Sequence, residues 1–213
     1  MARRLSAQER RQQLIRVGRK VFATNGYEGT TVEEIARRAK VSKPIVYEHF
    51  GGKEGLYAVV VDRSMADLTE RIIGAIQRGT PRQRVEGAAL AFMTWVKDEP
   101  DGFMVLLRDK PNSRAGGMAG LMHDLADHVS DVFAEQFVAS GYDRRMAGLY
   151  ARMLVGMVAF AGEWWLETRR APPPEVVASH VSAMAYMGLR HLPSEPAPID
   201  RSTLLPPPEE ESP

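Results

Sequence analysis

Val41-Ser42-Lys43-Pro44-Ile45-Val46-Tyr47-Glu48-His49-Phe50-Gly51-Gly52-Lys53 is the stretch that decides the fold. Lys40-Val41-Ser42 is a break, and Ser42 is suited to cap the helix that follows it. Pro44 falls in the first turn, where its missing N–H is no loss. Gly51-Gly52 ends the helix, leaving a short element over about Lys43 to Phe50. At about 1.5 Å per residue it is roughly 12 Å long, and the B-DNA major groove is about 12 Å wide. Val46 and Phe50 stand four apart and face inward together. Lys43, Pro44, Ile45, Tyr47 and His49 are left on or near the outer side.

Upstream, Ser6-Ala7-Gln8-Glu9 is a capping box. It opens a helix with Leu14, Val17, Val21 and Phe22 on its apolar face, which ends near Asn25-Gly26. Thr30 and Thr31 each precede a glutamate by three residues, so either can cap a second helix carrying Val32, Ile35, Ala36 and Ala39. Three short helices, the last two joined by a three-residue break, have helix-turn-helix spacing. Charge points the same way. Residues 1–53 hold twelve Lys and Arg against five Asp and Glu, a net +7, whereas the remainder is net −6. Such asymmetry suggests a nucleic-acid-facing segment joined to a part with another task. In a groove, Lys43 can donate to guanine O6/N7, and Pro44 or Ile45 can touch a thymine methyl. Tyr47 and His49 can bond phosphates, and Lys53 adds a cation beside free backbone N–H groups. Two bland alternatives stay open: Tyr47 as partly core, and Lys43 as merely solvated.

Beyond Lys53 the chain reads as further helices, with no run of alternating β-branched residues and no hairpin turn between such runs. The expected fold is all-α, with about nine helices. A helix-turn-helix DNA-binding domain occupies 1–55, and a helical ligand-binding and dimerisation domain occupies 56–192. Residues 193–213 carry seven prolines and the run Glu209-Glu210-Glu211, the composition of a disordered tail. Glu99-Pro100-Asp101-Gly102 reads as a turn between the fifth and sixth helices.

Large apolar residues concentrate in helices five to eight, where they either fill a core or line an apolar pocket. The pocket candidates on the earlier of these helices are Phe92 and Trp95, then Phe103, Leu106 and Leu107. Leu125, His128 and Val129 follow on helix seven, and Met153, Met157, Phe160 and Trp164 on helix eight. Helix eight is apolar on more than one side, as expected of a helix buried both by its own domain and by a second copy. The dimer candidates are Leu154, Val158 and Trp165 on helix eight, with Val177, Val181, Met184 and Gly188 on helix nine. An isologous four-helix interface would follow. His123 and His128, five apart on one helix, do not converge on a metal.

Several classes are excluded. The chain has no cysteine, so disulfides, thiolate nucleophiles and cysteine-held zinc are out, and a reducing cytoplasm is the expected home. No apolar run follows the basic N-terminus, and none reaches the roughly 20 residues that cross a bilayer. G-x-S-x-G, H-E-x-x-H, Walker and dinucleotide fingerprints are absent, so no enzyme and no cofactor is expected. A helical interaction module without DNA binding leaves the +7 segment unexplained.

Val41 to Tyr57, with Phe22-Ala23-Thr24-Asn25-Gly26-Tyr27 and Thr31-Val32-Glu33-Glu34-Ile35-Ala36, closely resembles the signature of the TetR family of transcriptional regulators. The resemblance implies that Thr31, Ser42, Lys43, Pro44, Tyr47, His49 and Lys53 occupy DNA-contacting positions. It also implies nine helices, the last two pairing across a homodimer, and operator DNA as partner. A narrower resemblance runs from Lys43 to Asp62, with Gly102-Phe103 and Trp164-Trp165-Leu166-Glu167. It is to actinobacterial regulators of fatty-acid synthesis, which respond to long-chain acyl-CoA. The alternative is a repressor of efflux or catabolic genes that responds to another apolar compound.

Overall fold

The computed structural model describes residues 5–108, 117–139 and 141–193. Among them are nine α-helices, one 3-10 turn and no strand. The first four are α1 (Ala7–Asn25), α2 (Val32–Ala39), α3 (Lys43–Phe50) and α4 (Lys53–Ile76). They are followed by α5 (Pro81–Asp98), α6 (Pro100–Leu107), α7 (Gly117–Ala139), α8 (Ala147–Glu167) and α9 (Pro174–Arg190). The expected tail beyond Pro193 and the polar segment 110–116 lie outside the described residues.

Local chemistry sets most boundaries. Ser6 and Glu9 bond reciprocally at the start of α1, and Thr80 and Gln83 do the same at the start of α5. Of the two candidate caps for α2, Thr31 serves: its hydroxyl accepts from the Glu34 N–H at 3.2 Å. Thr30 is buried and donates to the Gly26 carbonyl at 2.7 Å. Lys40 takes the left-handed conformation, φ 55°, at the helix-turn-helix corner, where the Val41 N–H closes back on the Ala36 carbonyl. Gly51 (φ 72°) and Gly52 (φ 131°) make the next corner in conformations that residues with a Cβ rarely adopt.

One boundary departs from expectation. Glu99-Pro100-Asp101-Gly102 is not a loop: Pro100 opens α6 directly, and the Phe103 N–H bonds the Glu99 carbonyl at 3.0 Å. Gly102 lies inside this helix because α6 passes close to its neighbours. A Cβ there would sit 3.3 Å from Ser64 Oγ and 3.4 Å from Trp95 Cζ2. The glycine reads as a turn but serves packing.

α1 to α3 form a small head whose core joins Leu14, Phe22, Ile35 and Val46 to Leu56 and Tyr57 of α4. α4 runs unbroken across residues 55 and 56, so head and body share one helix. In the body, α5 packs against α4 and α9, and α7 packs against α8. Trp95, Phe103 and Leu106 are fully buried at its centre. The Trp95 indole N–H is satisfied by Asp67 Oδ2 at 2.8 Å, which makes so large a buried side chain tolerable.

Candidate nucleic-acid interface and apolar cleft

α3 presents a polar outer side on an apolar base. Val46 is fully buried beneath it, and Phe50 is half-buried with the Arg11 guanidinium 4.7 Å above its ring. Ser42, Lys43, Pro44 and Tyr47 are exposed, Tyr47 at 48%. Tyr47 is therefore not a core residue. Ser42 is the backbone cap of α3, but its hydroxyl makes no capping bond. Thr31 is exposed at the start of α2, and with its oxygen engaged by Glu34 its O–H can still donate.

Four of the expected DNA contacts are more engaged than the sequence implied. Lys43 pairs with Glu33 of α2 and lies 6.0 Å from the Tyr47 ring centre. The hydrogen bond between them holds the Glu33 carboxyl below its ordinary pKa and raises that of Lys43. Ile45 and His49 are half-buried, Ile45 against the head core and His49 beside the Phe50 ring. Lys53 Nζ donates to the Tyr27 carbonyl at 3.0 Å and sits 4.2 Å over the Tyr27 ring, tying the start of α4 to the end of α1.

A cleft opens in the body between α4, α5, α7, α8 and α9. Its cavity volume is about 90 Å³. The wall is almost wholly apolar, and apolar cavities tend to stay dry and accept apolar guests.

Of the twelve pocket candidates, Phe92, Leu125, Val129 and Met157 line this wall. The other eight require correction. Trp95, Phe103 and Leu106 fill the core instead, and Leu107 packs against its edge. His128 is exposed, its Nδ1 3.3 Å from the Asp124 carbonyl. Met153, Phe160 and Trp164 lie on the outer face of α8, 57%, 71% and 50% exposed. The dimer candidates fall largely inside the single chain. Leu154, Val158 and Val181 line the cleft, and Val177 is buried in the core. Trp165 packs on the core with its indole N–H on the Pro172 carbonyl at 2.7 Å. Met184 and Gly188 remain on an exposed face.

The reason is close approach. The inward side of α8 carries Ala151, Ala159 and Gly162, and a Cβ at Gly162 would come within 2.7 Å of Phe92. Gly162 lets α8 lie tight on α5, while Met153, Phe160 and Trp164 point out. The sequence reading missed Leu68, Ile72 and Ile76 of α4 as cleft residues, together with Arg84 and Val85 of α5. The apolar stripe on α4 was the available signal for the first three. His123 Nε2 lies 3.4 Å from Asp127, with Arg152 bonded to both, on the surface.

A basic head with a groove-sized helix, sharing its fourth helix with a body that encloses an apolar cleft, defines a helix-turn-helix regulator of transcription. Residues 14–60 match the bacterial regulatory proteins of the tetR family, and residues 72–190 match the tetracyclin repressor-like C-terminal domain. The chain belongs to the TetR family. It is 29% identical to the HTH-type transcriptional activator FasR of Mycolicibacterium smegmatis, over 89% of this chain and 87% of that one. A TetR-like transcriptional regulator from Rhodococcus sp. RHA1 superposes with a TM-score of 0.73 at 24% identity, over 89% of this chain and all of that one. The fatty acid degradation regulator FadR from Bacillus halodurans does so with a TM-score of 0.72 at 16% identity, over the same shares. No described helix is long and apolar enough to cross a membrane.

Proposed function

We propose that two copies of this chain bind an operator through α3, and that a long-chain acyl compound, acyl-CoA in the first instance, controls the complex from the cleft. One observation carries the reading: Leu68, Ile72 and Ile76, which wall the cleft, belong to the helix whose first turn abuts α3. A guest that shifts α4 shifts the recognition helix with it. The guest acts only through its different affinity for the two positions of α4.

On this reading the head, 1–55, reads DNA, and the body, 56–192, holds the effector and the second copy. Lys43, Pro44 and Ile45 meet base edges, while Thr31, Ser42, Tyr47, His49 and Lys53 meet phosphates. The genes controlled are those of lipid metabolism. That assignment draws its support from the apolar wall, since the solved structure named for fatty acids shares only the fold.

The test has two stages. Selection from a random DNA pool should enrich a palindromic site, and long-chain acyl-CoA titrated against that complex should change its affinity. Enrichment of no site would remove the DNA-binding assignment. A site whose affinity ignores saturating acyl-CoA, but responds to another apolar compound, would leave the regulator and remove the acyl effector.

A further inference from the structure

Glu33 stands in the first turn of α2 and Lys43 in the first turn of α3, and the packing of the two helices brings these turns together. The Glu33 carboxylate accepts from the Lys43 ammonium. Among the described residues no other side chain bonds either group. Both stay open to solvent, with 63% of the Glu33 side chain and 48% of the Lys43 side chain exposed.

A carboxylate beside the recognition helix repels phosphates, so Glu33 weakens binding to every sequence. The fold asks little of it. An exposed ion pair adds little to stability. A helix N-terminus does favour an acid, but Glu34 in the same turn supplies one. Glu34 also knits the head together, accepting from Asn25 Nδ2 at 3.1 Å and pairing with Arg38 at 2.7 Å. Thr31 provides the cap. Glu33 is left with one partner, the cation proposed to meet base edges. Neither group is used up by the other. A carboxylate has about four acceptor sites and an ammonium three donors, so each can bond a base as well. In the major groove a G·C pair sets the guanine O6 acceptor beside the cytosine N4 donor. An ammonium and a carboxylate one hydrogen bond apart match those two groups, donor to acceptor and acceptor to donor.

We infer that Glu33 is a specificity-determining residue: with Lys43 it reads one G·C pair of the operator, Lys43 donating to guanine O6 and Glu33 accepting from the cytosine N4 amine. The inference rests on α3 entering the major groove, as proposed above. Inverting the pair sets the ammonium against an amine and the carboxylate against guanine acceptors, so the unit rejects C·G most strongly. Glu33 gives up affinity for all DNA in exchange for this discrimination.

The site enriched from a random DNA pool supplies the probe, and every single-base-pair variant of one half-site is titrated with the full chain. At one pair the wild-type protein should favour G·C over its inversion by about 100-fold, near the top of the usual range for one position. In Glu33→Ala that ratio should fall to about tenfold, the share left to Lys43. Glu33→Gln keeps an oxygen that can accept from the cytosine amine, so it should retain most of the ratio while tightening binding to every site. Lys43→Ala should lower preference at the same pair. If Glu33→Ala tightens all variants equally, or sharpens the G·C preference, Glu33 merely neutralises Lys43. The inference then falls while the DNA-binding reading stands. Loss of preference at different pairs in Glu33→Ala and Lys43→Ala would overturn it too. If the wild-type chain enriches no site, the α3 reading falls and this inference falls with it. Folding is not at issue for these variants, because Glu33 is exposed and bonds only Lys43 among the described side chains.

Discussion

At Gly55 the first turn of α4 passes so near α3 that a Cβ would lie 1.9 Å from the Phe50 carbonyl oxygen. That neighbour is backbone, so it cannot swing aside as a side chain would. Gly55→Ala is expected to cost about 1–3 kcal/mol, the usual penalty of overpacking. Each kcal/mol should lower the melting midpoint by roughly 2–4 °C in a chain of this size. The same strain tilts α3 on its base, so operator affinity should fall too. A variant that melts and binds like the wild type would show the corner to be looser than its geometry. Lys43 makes a second residue-scale case. Because it pairs with Glu33, it must exchange that carboxylate for a base edge when DNA binds. Lys43→Ala should relax preference at one or two base pairs, by roughly 1–3 kcal/mol for a good contact. Glu33→Gln should tighten operator binding, since it frees the ammonium and removes a negative charge from the DNA side. Binding across a panel of operator variants reads both, and two silent substitutions would take Lys43 off the interface.

Among the elements, α6 packs between the head and one residue of the cleft wall without lining the cleft itself. Phe92 lines the cleft and meets Phe103 of α6 edge-on at 5.9 Å. At the other end of α6, Arg108 donates to the Ala23 and Thr24 carbonyls of α1 at 2.9 and 3.2 Å. Arg19 of α1 pairs with Glu99, which caps α6, at 2.5 Å. Spatial continuity alone does not establish coupling; a coupling energy does. Arg108→Ala should leave operator binding and effector binding individually within a few-fold. It should reduce the coupling between them, typically about 1–3 kcal/mol, by half or more. Effector affinity measured with and without operator gives that quantity, and unchanged coupling would exclude the α6 route. None of this path was legible in the sequence. Arg108 and Ala23 are 85 residues apart, and Gly102 carries a turn signal inside a helix. The head was legible because its caps, its glycines and Val46 all act locally. The body was legible as helices but not as faces. α8 is apolar on more than one side, so periodicity cannot say which side meets its own domain. Gly162 was the informative residue, because a Cβ there would come within 2.7 Å of Phe92 on α5.

At the scale of the molecule, α8 and α9 leave apolar side chains with no partner in one chain. Leu149, Met153, Phe160 and Trp164 of α8 share one face, and Val176, Met184 and Met187 of α9 are exposed as well, Met184 at 66%. Single exposed apolar residues are ordinary, but this many on two neighbouring helices suit an association surface. A second copy is the partner that symmetry makes available, since two-fold pairing sets the same patch against itself. Two heads joined this way can then occupy successive major grooves, about 34–36 Å apart. Phe160→Glu and Met184→Glu should each give monomers in sedimentation. Because the two half-sites are then bound independently, operator affinity should fall by orders of magnitude while each head stays folded. Val181 supplies the control, since it lies one turn from Met184 in sequence but lines the cleft. Val181→Glu should leave the dimer intact and abolish effector binding, because an unpaired carboxylate on a dry wall excludes an apolar guest. If Val181→Glu dissociates the dimer while Met184→Glu does not, the two faces of α9 have been assigned the wrong way round. A wild-type chain that sediments as a monomer at micromolar concentration would remove the interface altogether.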